Sequence, residues 1–383
     1  MRFKKIWVYY FFIKVFFLFF AFFVFARLTS LGDTSSYLNA PLTLTPSILY
    51  SSTDMMFFLG SLLKKIFRVD VIASLPFMFL SFYGVYYAVD RLNLYRYPKL
   101  VLLIMSMPNF GVWTSVLSKE AVGCFFSGVI AVLLVRQIAG DYKYRLIDFI
   151  ALYLCLIYKP QYLLFIGQAL VFLRIIKWTS LKPSFTFVLG LIIVSANVLV
   201  LFIFRETIDL LAQGMYVHFM YSDPDLAQST RSADPWFVKF GVFKEAPYGM
   251  FISFVGPTLR EMMSKPTHFV SGIESYSILF MYSFLLINRI VFIIKTSQIN
   301  IKITFVYLIV FLGILFVHYP FGYLNPGSAI RYRENFYLTF SILLLFLYDY
   351  KQIITYIKAR QFHFISIKND QSNSKLSSDF RKL

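Results

Sequence analysis

Apolar runs long enough to cross the hydrocarbon core of a bilayer recur along the whole chain, and they restrict its fold more than any other feature. A helix needs about 20 such residues to span that layer. Runs of this kind cover 6–27, 70–90, 99–117, 120–138, 183–204, 268–294, 303–319 and 334–350. The stretch 146–176 is too long for one ordinary span and is interrupted by Lys159-Pro160-Gln161. Proline removes a donor from the helical ladder, so two shorter helices meeting at that break fit better than one. The expected fold is all-α: a polytopic transmembrane helical bundle of about ten spans over residues 1–360. Two alternatives stay open: 53–68 as a helix lying in the interface, and 146–176 as one long tilted helix. A transmembrane barrel is excluded, because its roughly ten-residue segments of alternating polarity are missing. Composition agrees, with 58% hydrophobic and only 15% charged residues, against about 25% charged in soluble domains.

The first run has no small-residue cleavage pattern after it, so it reads as a retained span. Lys14 lies inside it, and its long stem is expected to snorkel to the cytoplasmic surface. The net charge is +18, and its distribution sets the orientation. The pieces 1–5, 91–99, 136–145, 174–182, 289–302 and 350–383 hold 22 of the 37 Lys and Arg residues. Cytoplasmic loops collect such residues, so both termini are expected in the cytoplasm. The other face then carries 28–69, one large periplasmic loop at 205–267, and 320–333. The tail 361–383 is rich in Ser, Lys, Asn and Asp and is expected to be a disordered cytoplasmic segment. Cys124 and Cys155 fall in apolar runs and read as small buried hydrophobes. No P-loop or dinucleotide fingerprint is present. We expect no cofactor, no metal and no nucleic-acid partner.

Ionisable groups at membrane depth are costly and tend to mark function. Here they gather on the side opposite the Lys/Arg-rich pieces. Asp33 follows the first span, Lys119 and Glu120 sit in a tight turn, and Arg331 and Arg333 sit in Asn-Pro-Gly-Ser-Ala-Ile-Arg-Tyr-Arg. The large loop adds Asp223, Asp225, Arg231, Asp234 and Trp236. Fixed cations can stabilise a departing phosphate or pyrophosphate, with Arg suited to bidentate contact. A carboxylate can orient an acceptor hydroxyl or take its proton. That combination is the minimal equipment for sugar transfer from a polyprenyl-linked donor. The expected roles are Asp33 and Glu120 as catalytic carboxylates, Lys119, Arg231, Arg331 and Arg333 as the phosphate clamp, and Trp236 as a sugar-stacking ring. Structural alternatives exist for each. Asp33 suits a helix cap, Glu120 suits a helix start, Lys159 suits a snorkelling position at a kink, and Asp223-Pro-Asp225 suits a turn. His218, His268 and His318 show no metal-ligand spacing.

The Gly32-Asp33-Thr34 loop with Tyr37 resembles the acidic first-loop motif of GT-C-type glycosyltransferases. The stretches from Pro108 through Trp113 to Glu120, and from Asn325 to Arg333, resemble segments of bacterial surface-polysaccharide membrane proteins, many of them Wzy-type O-antigen polymerases. The resemblance implies a polymerase of the bacterial inner membrane that moves a growing glycan from its carrier onto the next carrier-linked unit. Its implied substrate is an undecaprenyl-pyrophosphate-linked oligosaccharide, and its implied partners are membrane lipids and a chain-length regulator protein. Those polymerases carry spaced Arg and Gly positions in two large periplasmic loops. This chain has one such loop, with Arg231 and Gly241 as the nearest candidates. A GT-C-type transferase adding a single sugar from a polyprenyl-phosphate donor is the alternative. A flippase for the same lipids would need symmetric halves, and no internal repeat is present.

Overall fold

The computed structural model describes residues 5–221, 231–232, 234–296 and 299–360. Among them every regular element is a helix. In chain order the principal helices are α1 (Lys5–Leu28), α2 (Thr34–Asn39), α3 (Ser52–Phe67), α4 (Asp70–Arg91), α5 (Pro98–Met105), α6 (Pro108–Trp113) and α7 (Lys119–Ile138). They continue with α8 (Leu146–Tyr158), α9 (Pro160–Thr179), α10 (Pro183–Ile203), α11 (Arg205–Tyr221) and α12 (Ala246–Val255). The last four are α13 (Pro266–Thr296), α14 (Ile301–Tyr323), α15 (Pro326–Tyr348) and α16 (Tyr350–Arg360).

Seven of these helices are long and apolar enough to cross a membrane, and α15 with α16, bent by 97° at their junction, makes an eighth candidate. The chain is a multi-pass membrane protein. Two of the ten expected spans fall short of that length. The run 99–117 is divided into α5 and α6, because Pro108 opens a new helix after the turn at Ser106-Met107. The run 146–176 breaks at Lys159 into α8, of 13 residues, and α9. The stretch 53–68 forms α3. The segment 205–267 folds largely into helices, and α12 packs against α14 and α15. Asp223 and Asp225 and the tail 361–383 lie outside the described residues.

Helix α7 is the axis of the bundle. Its span is buried along its whole length, between α4, α8 and α15. The sequence permits this because small residues interrupt the apolar run. A Cβ on Gly128 would fall on the carbonyl of Gly84 in α4, and one on Gly84 would fall on the backbone of Phe125. Close approach of this kind is how helices associate where burial from water supplies no drive. Ser127 and Thr339 add a hydroxyl pair at 2.6 Å between α7 and α15. At the periphery α10 is almost entirely uncovered, with Phe185, Ile192, Leu199 and Phe202 facing outward. A surface so apolar is stable only against lipid.

Lys14 departs from expectation. It is fully buried, and its ammonium nitrogen donates to the Thr114 carbonyl at 2.6 Å and to Thr114 Oγ1 at 2.8 Å. The Thr114 carbonyl can accept because the chain leaves helical geometry after α6. Cys124 and Cys155 are both buried free thiols.

Gly128→Val will force α4 and α7 apart at a backbone contact that cannot yield. We expect a loss of about 1–3 kcal/mol, read as a lower melting temperature in detergent. Gly167→Ala, where a Cβ would meet nothing within 4 Å, will leave that temperature unchanged or raise it.

Candidate functional site

The starts of α3, α7, α9 and α15 converge with the first loop at one end of the bundle. Each start is set by local sequence. Ser51 caps α3, and Ser118 Oγ accepts from Ala121 N to cap α7. Pro160 opens α9 after the break, and Asn325 Oδ1 accepts from Ser328 N to cap α15. These ends present partial positive charge to the site between them.

Arg331, in the second turn of α15, is the centre. Its Nη2 donates to Asp33 Oδ2 at 2.7 Å and its Nε to Glu120 Oε1 at 3.0 Å. Trp113, at the end of α6, lies 5.2 Å from the guanidinium carbon. The three charges form a gradient from surface to core, with side-chain exposures of 43% for Asp33, 14% for Arg331 and 1% for Glu120. Glu120 Oε2 has no hydrogen-bond partner. Asp33 stands at the N-cap position of α2, yet its side chain makes no capping bond; Arg331 takes it instead. Gly32 makes the approach possible. It adopts φ +57°, and a Cβ there would strike the Arg331 guanidinium.

Two further cations border this group. Lys119 Nζ donates to Thr53 Oγ1 at 2.8 Å, and Lys159 lies 4.7 Å from the centre of the Tyr332 ring. Neither reaches ion-pair distance of a carboxylate among the described residues. The charges of Asp33, Glu120 and Arg331 act on Lys119, and those of Glu120, Lys119 and Arg331 act on Lys159. Three cations thus gather around Asp33 and Glu120, and the charge of Asp54 acts on Lys119 as well. Burial raises the Asp33 carboxyl, but the Arg331 charge and hydrogen bond outweigh it and hold Asp33 below its ordinary value. The Tyr37 hydroxyl, which donates to Asp33 Oδ2 at 3.3 Å, is pushed up by burial and by the Asp33 charge.

Asp33, Lys119, Glu120 and Arg331 are therefore brought together, and the other three expected site residues are not. Arg333 is fully buried. It donates to Phe254 O at 3.1 Å, Ser275 Oγ at 2.7 Å, Glu274 Oε1 at 3.0 Å and Glu334 Oε1 at 3.2 Å. Two residues along a helix differ by about 200° in direction, so Arg331 and Arg333 cannot serve one clamp. Arg231 makes a bidentate pair with Glu261 at 2.8 and 2.7 Å and donates to the Tyr323 and Gly256 carbonyls. Its charge ties the end of α14 to the 256–261 turn. Trp236 is fully buried, stacked 5.0 Å from Tyr323 and edge-on to Tyr319. No ring face is left for a sugar, and Trp236 is left out of the site proposed below.

Sequence reasoning passed over Glu274 and Glu334, although a carboxylate inside an apolar run is itself a signal. Glu274 Oε2 accepts from the Asn109 backbone and side chain at 2.6 and 2.9 Å, and so locks α6 to α13. Tyr37 belonged to the first-loop motif, whereas Thr53 and Tyr332 carried no distinguishing pattern. Among the described residues no group of three His, Cys, Asp or Glu side chains is placed to hold a metal ion.

Arg331→Ala will strand the buried Glu120 carboxylate, with a loss of about 3–5 kcal/mol in unfolding measurements. Glu120→Gln in the same chain will restore a large part of it. The Asp33 pair has its own pH signature. A carboxyl depressed in the folded state contributes stability fully above its unfolded value of about 3.9, and loses it as pH falls through the lower folded value. The melting temperature of Asp33→Asn will therefore lie below wild type at pH 7, and the gap will close toward pH 3.

Comparison with protein-family models, with curated proteins and with solved structures finds no match.

Proposed function

We propose that this protein polymerises lipid-linked oligosaccharide repeat units into a surface polysaccharide, at the outer face of a bacterial inner membrane. The observation that carries this reading is the half-exposed Asp33 carboxylate near Lys119, with Lys159 close to Glu120 and Arg331 in the same group, neither lysine having a carboxylate at ion-pair distance among the described residues. A carboxylate next to uncommitted cations, at the mouth of a membrane bundle, suits a donor whose leaving group is a membrane-borne pyrophosphate. The distribution of Lys and Arg supports the orientation, since the basic pieces lie at the opposite helix ends.

In this reading the acceptor hydroxyl oxygen attacks the anomeric carbon of the donor glycan. The carbon–oxygen bond to the carrier pyrophosphate breaks, and the pyrophosphate leaves with the electron pair. Lys119 and Lys159 balance the charge that develops on it. Asp33 orients the hydroxyl and takes its proton. Arg331, neutralised by two carboxylates, is a positioning residue that aims Asp33 outward. The clamp is thus lysine-based, and the arginines serve the scaffold.

The test is a strain in which Asp33→Asn, Lys119→Ala or Lys159→Ala replaces the native protein at equal membrane level. We expect about a hundredfold less long-chain polysaccharide, with lipid carrying a single repeat unit accumulating. Unchanged polymer in all three removes these residues from any mechanism. Loss of one branch sugar with chain length preserved would identify a single-sugar transferase instead.

A further inference from the structure

A second concentration of positive charge lies at the other end of the same helices. Arg289 is 15 residues beyond Glu274 on α13, about 22 Å farther along the axis. It is only 6% exposed. Among the described residues its Nε has no hydrogen-bond partner, and no carboxylate lies within ion-pair distance of it. Two rings hold it in place, Tyr350 at 4.5 Å and Phe292 at 5.0 Å. Lys351 lies against the same Phe292 ring at 5.4 Å. Asp349, adjacent in sequence to Tyr350, is buried with an unpartnered Oδ2, yet it forms no ion pair with either cation among the described residues. Tyr350 is also a wall of a cavity of about 360 Å³ whose polar lining is Thr186, Asn300 and Lys302. Lys302 caps α7 through the Ile138 carbonyl at 2.8 Å, and the charge of Lys358 acts on it.

The other deeply buried arginines on the page are satisfied. Arg136 bonds Asp141 and Asp148, and Arg333 bonds Glu274 and Glu334. A buried guanidinium without a counter-ion is strongly unfavourable, and aromatic faces return only about 0.5–2 kcal/mol. Among the described residues no carboxylate stands at ion-pair distance to neutralise it. Helix ends of a membrane bundle meet one kind of anion at high concentration, the phosphate of lipid headgroups, and basic pockets between such ends bind it.

We propose that Arg289 and Lys351, with Lys302 across the Tyr350 wall, bind the phosphate of an anionic phospholipid headgroup at this end of the bundle. The acyl chains then lie along the uncovered apolar faces of α10 and α13. This site is independent of the polysaccharide reading and does not share a residue with it.

The experiment uses the full chain purified in detergent and depleted of lipid. Melting temperature and retained lipid by native mass spectrometry are measured with phosphatidylglycerol, phosphatidylcholine or inorganic phosphate. For wild type we expect phosphatidylglycerol to raise the melting temperature and remain bound, while phosphatidylcholine does neither. Arg289→Gln and Lys351→Gln will each reduce retention by roughly fivefold or more. Arg205→Gln, which removes one charge on the far side of the bundle, will not. Equal retention in wild type and both site variants overturns the proposal. A stabilisation by inorganic phosphate equal to that by phosphatidylglycerol overturns the lipid as its source. Lys351 is exposed and outside the core, so its variant keeps the test valid if Arg289→Gln fails to fold.

Discussion

One guanidinium holds together parts of the chain that are far apart in sequence. Arg331 reaches Asp33 across 298 residues and Glu120 across 211. Without it, the first loop would have no charged anchor on α15, and Glu120 would be a buried acid at the head of the central helix. In a low-dielectric bundle an unpaired charge is costly, so the pairing fixes which helix ends lie together. Trp113 and Gly32 then follow as fitted parts, one covering the guanidinium and the other giving way to it.

Two charge networks share α15 but differ in character. The Arg331 group opens to the surface through Asp33 and has two lysines beside it. The Arg333 group is sealed, with both carboxylates and the arginine at or below 3% exposure. One helix turn thus carries a site able to meet a ligand and a clasp that joins α6, α12 and α13 to α15. The clasp steadies the backbone under the site, which is what a group acting at a defined position requires.

Much of this was legible in the sequence. The apolar runs marked the helices, and Pro160 marked the break between α8 and α9. Asp33, Lys119, Glu120 and Arg331 stood out as charges where charge is expensive, and they do meet. What failed was discrimination among similar residues. Arg333 looked like a second clamp residue until helical phase was applied to it. Arg231 and Trp236 have partners, Glu261 and Tyr323, that lie 30 and 87 positions away in a packing no local pattern encodes. The division of 99–117 was signalled by Pro108 but outvoted by its hydrophobicity. Lys14 follows the general habit of lysines in spans when only sequence is considered, and the Thr114 carbonyl, which accepts from both Lys14 and Ser81, was invisible before folding.

That bond between Lys14 and Thr114 bears on how α1 is held in the bundle. Helix α1 carries a buried amine, and the carbonyl that satisfies it lies a hundred residues away in sequence, just past the end of α6. Helix α4 packs on α1 through ring contacts of Tyr10 with Phe82 and of Trp7 with Tyr86, but the amine takes its oxygens from the Thr114 turn. Displacing that turn would strand an amine in the hydrocarbon, so α1 and the junction between α6 and α7 are held to one another.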